Sequence, residues 1–429
     1  MKYKRISPGR IIVLGFAAVI ILGTILLSLP FTAKEGMNVS VLDALFTSTS
    51  AVCVTGLIVV DTADSFNAIG QTMIALLIQI GGLGVSSVGV GFILLAGKRV
   101  TFRERVLIKE SMNLDSMKGI VKIVRAVLIM TLCFEALGAF ISFSVFVRDY
   151  PPARAMGISL FHSVASFNNA GFDILGGFKN LLPYQDNVLL SLTTCGLVIF
   201  GGLGFFVIIE VISKRRFRKL SLHSKIVLVM TGLLLLSGTL LIKLTEEISW
   251  LGAFFYSTSA RTAGFSTVPL VNFTNAGLFI LIILMFIGAS PGSTGGGIKT
   301  TTFFTLFKSA YSTSTNKHCT AFKRKIPNEI VMKAFVITLL SGMLVIIDAL
   351  ILSILEPEFT FMQLLFEAVS AFGTVGLSTG ITPDLSVLSK IILILTMFTG
   401  RLGALTIASI WYTKPASGVR YTEESITIG

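Results

Sequence analysis

Four short stretches of this chain, Leu42–Leu57, Ile158–Phe172, Trp250–Phe265 and Phe361–Leu377, share one pattern: a half-length apolar helix stops at a small-residue loop closed by glycine, and a full-length hydrophobic run follows. Aligned on Gly56, Gly171, Gly264 and Gly376 they read AVCVTGL, SFNNAGF, SARTAGF and AFGTVGL. Four such loops converging on one axis would offer a ring of backbone carbonyl oxygens in place of a cation's hydration shell. The pattern therefore predicts a fourfold pore folded from a single chain.

Apolar residues are 53% of the 429 and charged residues only 13%, which excludes an ordinary soluble domain and predicts an integral membrane protein. About 20 apolar residues cross a hydrocarbon core of roughly 30 Å. Eight segments qualify: 11–30, 71–96, 121–147, 188–212, 226–244, 277–306, 331–355 and 389–412. The first has basic flanks, but its run exceeds the roughly 7–15 residues of a signal-peptide core, so it reads as a span. A helix from Leu42 to Val52 rises only about 15 Å and must re-enter. Irregular backbone at that depth is tolerated only when buried in protein or lining a water-filled path. Ser40-x-x-Asp43 and Thr360-x-x-Gln363 have capping-box spacing, so these short helices start near a surface and aim their negative C-terminal ends at the pore.

Lysine and arginine set the orientation. The stretches 1–10, 97–120, 213–225 and 308–330 hold 4, 6, 6 and 5 of them, whereas the alternating connections are sparse (Lys34, Arg148, Arg154, Lys179). Basic loops stay inside, so both termini are expected in the cytoplasm, and the formal net charge of +13 reflects topology rather than nucleic-acid binding. The other side carries Asp61, Asp64, Asp173, Glu246, Glu356 and further acids, which concentrate cations at a pore mouth. Cys53, Cys133, Cys195 and Cys319 suggest no disulfide framework, and His162, His223 and His318 have no metal-ligand spacing.

Each repeat extends into the following helix as Ile80-Gly81-Gly82-Leu83-Gly84, Phe200-Gly201-Gly202-Leu203-Gly204, Ile287-Gly288-Ala289-Ser290 and Thr399-Gly400-Arg401-Leu402-Gly403. Gly56 to Gly81 is 25 residues, Gly171 to Gly201 is 30, and the last two intervals are 24. Inside hydrophobic helices these glycines favour close packing; with no preceding strand they are not a dinucleotide fingerprint. The third repeat departs from this, because Gly288-Ala-Ser-Pro291-Gly292-Ser-Thr-Gly295-Gly296-Gly297-Ile-Lys299 cannot remain helical and should lie in the path below the ring. A glycine-hinged kink is the simpler alternative. Arg401, in the middle of IILILTMFTGRLGALTIASIW, costs about 2.5–3.5 kcal/mol to insert and must face protein or water. It is expected either as an electrostatic barrier that also holds the polar loop through carbonyls, or in a buried ion pair with Glu135 or Asp348. Those two acids read as packing or pairing residues rather than ion ligands.

The glycine loops, with GGLG, GIKTT and the late Gly-Arg-Leu-Gly, resemble the Trk/Ktr/HKT superfamily of potassium transporters over essentially the whole chain, and most of all the membrane subunit of bacterial Ktr systems. The resemblance implies an all-α polytopic fold of eight transmembrane helices and four re-entrant half-helices. It divides the chain into repeats 1–96, 97–212, 213–307 and 308–413, with an intramembrane gating loop at 288–300 and a cytoplasmic tail at 414–429. It implies a potassium filter at Val54, Thr55, Gly56, Asn169, Ala170, Gly171, Thr262, Ala263, Gly264, Thr374, Val375 and Gly376, with K+ held by backbone carbonyls. Gating would fall to Gly288, Pro291, Gly292, Gly295, Gly296, Gly297, Lys299 and Arg401. Glycine at position 56 goes with potassium selectivity in the family, whereas Val52-Cys53 departs from the small hydroxyl residues usual in Ktr relatives.

No nucleotide-binding loop or activated nucleophile is present, so an enzyme is not expected. Repeats that all begin and end on the same side are parallel, which favours a channel-like path over an alternating-access sodium/potassium symporter. The resemblance further implies Na+ as coupling or activating ion, a homodimer in the plasma membrane of a bacterium, contact with membrane lipid, and a separate cytoplasmic RCK-type ring that binds ATP or ADP.

Overall fold

The computed structural model describes residues 8–95, 100–111, 119–403 and 406; the 414–429 tail lies outside them. Four units share one order of elements. The first runs through α1 (Pro8–Leu27), the short α2 (Val41–Val52), a single turn α3 (Thr62–Ser65), α4 (Ala68–Leu83) and α5 (Val85–Leu95). After α6 (Phe102–Ser111) the second comprises α7 (Ile120–Phe146), α8 (Pro152–Phe167), α9 (Val188–Leu203) and α10 (Phe205–Lys214). The third comprises α11 (Leu222–Thr245), α12 (Trp250–Ser259), α13 (Asn275–Phe286) and α14 (Thr300–Ser314). A hairpin of β1 (Thr320–Ala321) and β2 (Arg324–Lys325) leads to the fourth, α15 (Asn328–Leu355), α16 (Phe361–Gly373) and α17 (Val387–Leu402).

Polar caps set where the chain turns into each short and second helix. Ser40, Ser249 and Thr360 cap α2, α12 and α16, and Asn67, Asn187, Thr274 and Ser386 cap α4, α9, α13 and α17. Each satisfies an otherwise orphaned N–H, worth about 1 kcal/mol. The Thr360/Gln363 box closes in both directions, and Ser40 accepts from the Asp43 N–H at 3.1 Å. The exception is α8, which starts at Pro152 rather than near Ile158, because proline at the first helical position forgoes an N–H that has no partner there.

The second hydrophobic run of the first two repeats is not the single full-length helix its apolarity predicts. The pair α4 and α5 meets at about 100°, and α9 and α10 at 94°. Both breaks fall on the last glycine of GGLG, where Gly84 has φ +83° and Gly204 φ +91°, a backbone region that right-handed helices exclude and side chains resist. In the third unit the break widens into a loop of residues 287–299, as the glycines and proline predict, and a mere kink is excluded. The span from Gly9 to Leu27 and the helices α7, α11 and α15 are long and apolar enough to cross a membrane unbroken. They expose Leu14, Ile21, Phe140, Leu236, Ile346 and Ile354, the surface that lipid tails require of a membrane protein.

Small residues let the short helices sit deep between their neighbours. A Cβ on Gly23, Gly138 or Gly238 of the long helices would overlap the hydroxyl of Ser48, Ser163 or Ser257. On the other side, a Cβ on Gly81, Gly201 or Gly400 would overlap the carbonyl of Val52, Phe167 or Phe372 at the end of the short helix. The first two short helices are thus clamped at glycine-mediated distances from both sides and the last two approached so from one, and the C-terminal halves of all four are buried.

Candidate functional site

At the end of each short helix the backbone leaves the helix by the same route. The residue before each glycine donates back to the helix: Thr55 to Ser50 O, Ala170 to Ala165 O and Ala263 to Ser259 O at 2.8 Å, and Val375 to Ser370 O at 2.9 Å. The residue two before the glycine then has positive φ in all four loops, +52° at Val54, +58° at Asn169, +119° at Thr262 and +50° at Thr374. Three of these are β-branched, for which the conformation is costly, on the order of 1–3 kcal/mol each. The glycines follow at φ +92°, +67°, +78° and +90°.

These loops close a ring. A Cβ on Gly56 would strike Ala170 O, one on Gly171 would strike Ala263 O, one on Gly264 Val375 O, and one on Gly376 Thr55 O. The cycle runs 56, 171, 264, 376 and back, so all twelve loop residues singled out in the sequence come together. The carbonyls of Thr55, Ala170, Ala263 and Val375 sit on fully buried residues, and among the described residues none accepts a hydrogen bond from the chain. Buried carbonyls without donors are expensive, about 1–3 kcal/mol each, and four of them crowded together match the needs of a cation. The negative ends of the four short helices reinforce that preference.

On one side of the ring lies a cavity of about 370 Å³ lined by the four glycines and by Asp173, Asn180, Ser266, Ser378 and Thr382. Asp173 is half-buried on its wall. Burial pushes its carboxyl up, to about 7; a hydrogen bond from the Leu175 N–H at 3.0 Å opposes this, and the nearby Asp61 and Asp64 carboxylates add to it.

On the other side lies the loop 287–299. A Cβ on Gly295 or Gly296 would overlap the hydroxyl of Thr262 or Thr374, which places the loop directly beneath the ring. It is tied to the second repeat by Ser290 N–H to Gly202 O at 3.0 Å, Thr294 N–H to Gly201 O at 3.2 Å and Phe205 N–H to Gly292 O at 3.0 Å. Lys299 Nζ reaches back to Gly295 O at 2.6 Å and Gly296 O at 3.3 Å. Gly288 packs against Gly296, Pro291 O meets Gly204, and Gly297 lies against Gly288 and Gly373, so the eight candidate gating residues, Arg401 among them, form one cluster. Arg401 donates to the carbonyls of Thr294 and Gly81, and to that of Gly82 at 3.2 Å. It thus joins the loop to the first repeat through carbonyls. The two candidate acids lie elsewhere: Glu135 accepts from Asn168 Nδ2 at 3.0 Å and Asp348 from Thr396 Oγ1 at 2.6 Å. Among the described residues Arg401 forms no ion pair.

Several features escaped the sequence reading. The positive φ before each glycine has no residue signature, since valine, asparagine and threonine all adopt it. Arg261, buried beside the ring, reaches Thr231 O at 3.5 Å, and only its alignment with Cys53, Asn168 and Gly373 would have drawn notice. Asn180 was also passed over, although the long second interval, 30 residues against 24 and 25, announced an insertion there. His162 is buried with Nε2 2.9 Å from Thr194 Oγ1, and among the described residues no group of His, Cys, Asp or Glu is placed to hold a metal.

Comparison with known proteins agrees with this architecture. The profile of the TrkH family, described as cation transport proteins, matches residues 10–415. The chain is 38% identical to the potassium/sodium uptake protein NtpJ of Enterococcus hirae, over 99% of this chain and 98% of that one. It is 38% identical to the Ktr system potassium uptake protein B of Vibrio alginolyticus (98% and 94% covered) and 36% identical to that of Bacillus subtilis (100% and 98%). The crystal structure of the potassium transporter TrkH from Vibrio parahaemolyticus superposes with a TM-score of 0.75 at 19% identity, covering 96% of this chain and 87% of that one, which shows the common fold.

Proposed function

The chain belongs to the TrkH family of cation transport proteins, and from that premise we propose that it takes up potassium across the plasma membrane of a bacterium through a channel-like pore. The observation that carries the proposal is the closed ring of four glycine loops with donor-free buried carbonyls. A potassium ion arriving in the cavity sheds water as Thr55, Ala170, Ala263, Val375 and neighbouring carbonyls replace it, while strained backbone holds their spacing. The acids on the cavity side raise the local cation concentration. The loop 287–299 then obstructs the path, and Arg401 adds a positive charge where solvent screens poorly. Movement of this loop opens the pore.

The basic stretches support a topology with both termini in the cytoplasm, where they would dock a regulatory partner of the RCK class that binds ATP or ADP. Two copies of the chain would assemble as a dimer with one pore each. Relatives with names spanning potassium and potassium/sodium uptake support sodium as an activating or coupling ion. Potassium uptake by a potassium-uptake-deficient bacterium producing this chain, with and without sodium and regulator, tests the reading. Uptake that remains thermodynamically downhill at any sodium gradient supports the channel; accumulation fixed by the sodium gradient would establish a symporter.

A further inference from the structure

The repeats differ in how their glycines are held, and the third holds its own by backbone alone, Gly264 N–H to Ser259 O at 3.4 Å. In the first and fourth repeats a serine on the short helix accepts from the glycine N–H, Ser50 from Gly56 at 3.0 Å and Ser370 from Gly376 at 3.1 Å. The aligned residue in the second repeat is Ala165, which has no side-chain acceptor. There the tie comes from the cavity side instead: Asn180 Nδ2 donates to Gly171 O at 3.3 Å. Among the described residues this is the only hydrogen bond from the chain to a carbonyl of the four ring glycines.

Asn180 ends an inserted strap, residues 176–180, that crosses the cavity mouth. One end is anchored on the first repeat, by Gly177 N–H to Asp64 Oδ2 at 2.8 Å and Phe178 N–H to Asp61 Oδ2 at 2.6 Å. The other is anchored on the third, where Asn180 Oδ1 accepts from Ser266 N–H at 3.1 Å and from Leu181 N–H at 2.9 Å. Two N–H donors on one side-chain atom fix it as the oxygen, so the amide nitrogen faces Gly171. The backbone of Asn180 has φ +48°, a conformation asparagine tolerates better than most residues.

We infer that Asn180 is a positioning residue for the potassium site, holding the Gly171 carbonyl in the geometry that distinguishes potassium from sodium. The inference rests on the proposed filter. A ring that must suit a larger ion has to resist collapse onto a smaller one, and three repeats tied to different supports need one link that fixes the second. The amide supplies it by occupying one lone pair of Gly171 O and leaving the other for the ion.

Two variants test this in proteoliposomes, with relative potassium, rubidium and sodium flux as the readout. Asn180→Gly keeps the backbone conformation and the Leu181 N–H to Ser266 O bond of 3.1 Å, but removes the side chain. Asn180→Asp keeps the oxygen that accepts from Ser266 and Leu181 and replaces only the donor. The carboxylate's own field favours the smaller ion, so the geometric effect is the loss of discrimination that Asn180→Asp shares with the uncharged Asn180→Gly. Both variants are expected to lose potassium-over-sodium discrimination about tenfold, equivalent to about 1.4 kcal/mol. A strap that acts only as scaffold predicts a selective Asn180→Asp, and that result overturns the assignment even if Asn180→Gly fails to fold. A parent protein that does not discriminate potassium from sodium overturns the filter reading itself, whereas a selective parent with a selective Asn180→Asp overturns only the role of Asn180.

Discussion

The two faces of the glycine ring are built on different rules. On the cavity face four loops repeat the same backbone path, down to the positive φ two residues before each glycine. On the opposite face the repeats diverge: two second helices bend by 94–100°, one opens into the 287–299 loop, and one carries Arg401. A site that coordinates one ion through equivalent carbonyls gains from equivalence. The gating proposed for the 287–299 loop fits this asymmetry, since a device that must move cannot be fourfold without moving four times.

Breaking the symmetric face should give the largest effect. Gly264→Ala puts a methyl group onto Val375 O at a backbone φ of +78°, and no flexible side chain can yield there. Potassium flux should fall on the order of 100-fold, with reduced yield, as strain and overpacking each cost about 1–3 kcal/mol. Gly56→Ser should act in the same direction, with weakened potassium selectivity as its signature in whatever folds. Flux and yield of the two variants close to the parent would dissolve the equivalence of the loops.

The opposite face should respond with gain rather than loss. Removing Ser293–Gly296 deletes the carbonyl of Thr294 that accepts from Arg401 and those of Gly295 and Gly296 that accept from Lys299. Flux should rise about tenfold and become independent of the regulator, a shift of about 1.4 kcal/mol in the open-closed balance. A deletion variant that folds and conducts no faster than the parent removes the gating role of this loop.

Arg401→Gln is a smaller perturbation of the same contact. Because the arginine is held by carbonyls of Thr294, Gly81 and Gly82, neutralising it strands no acid, and yield should stay near that of the parent. Flux should rise several-fold as close-range repulsion of the permeating ion disappears. Low yield rescued by also neutralising Glu135 or Asp348 would instead expose a hidden ion pair and sink the barrier idea.

The same division explains what was legible in the sequence. The cavity face could be read because glycine is the residue that a close carbonyl approach demands, and four in register leave little else to infer. Asn67, Asn187, Thr274 and Ser386 emerged as caps only from the structure, but the starts marked by the Ser40 and Thr360 boxes were readable. The bends at Gly84 and Gly204 were not, because GGLG within an apolar run satisfies the hydropathy of a straight span as well as a broken one. Arg401 announced its importance by its charge but not its partners, which lie 107 and 320 residues away in the chain. Asn180 was hidden for the reverse reason: an asparagine in a loop is ordinary, and only the bond to Gly171 O gives it weight.

The smallest effect should come from Asp173, a titratable group on the cavity wall whose environment raises its carboxyl toward neutrality. Asp173 is pushed up from the ordinary carboxylate range to about 7, by burial first, and by Asp61 and Asp64 against the opposing hydrogen bonds from the Leu175 and Gly176 backbone. A carboxyl raised in the folded protein binds its proton more tightly than in the unfolded chain, so its contribution to stability is full below about 4 and declines as pH rises to about 7. Potassium affinity should move the other way, because the ionised form attracts cations into the cavity. Raising the cavity-side pH from about 6 to about 8 should therefore improve the apparent potassium affinity roughly twofold, a modest gain because water in the cavity screens a half-buried charge. Asp173→Asn should flatten that profile without altering the ratio of potassium to sodium flux, since charge attracts both ions and only ring geometry distinguishes them. A pH response that survives Asp173→Asn would assign the titration to another group, and a change in selectivity with pH would mean that the cavity wall and the ring are not the separate parts that their construction indicates.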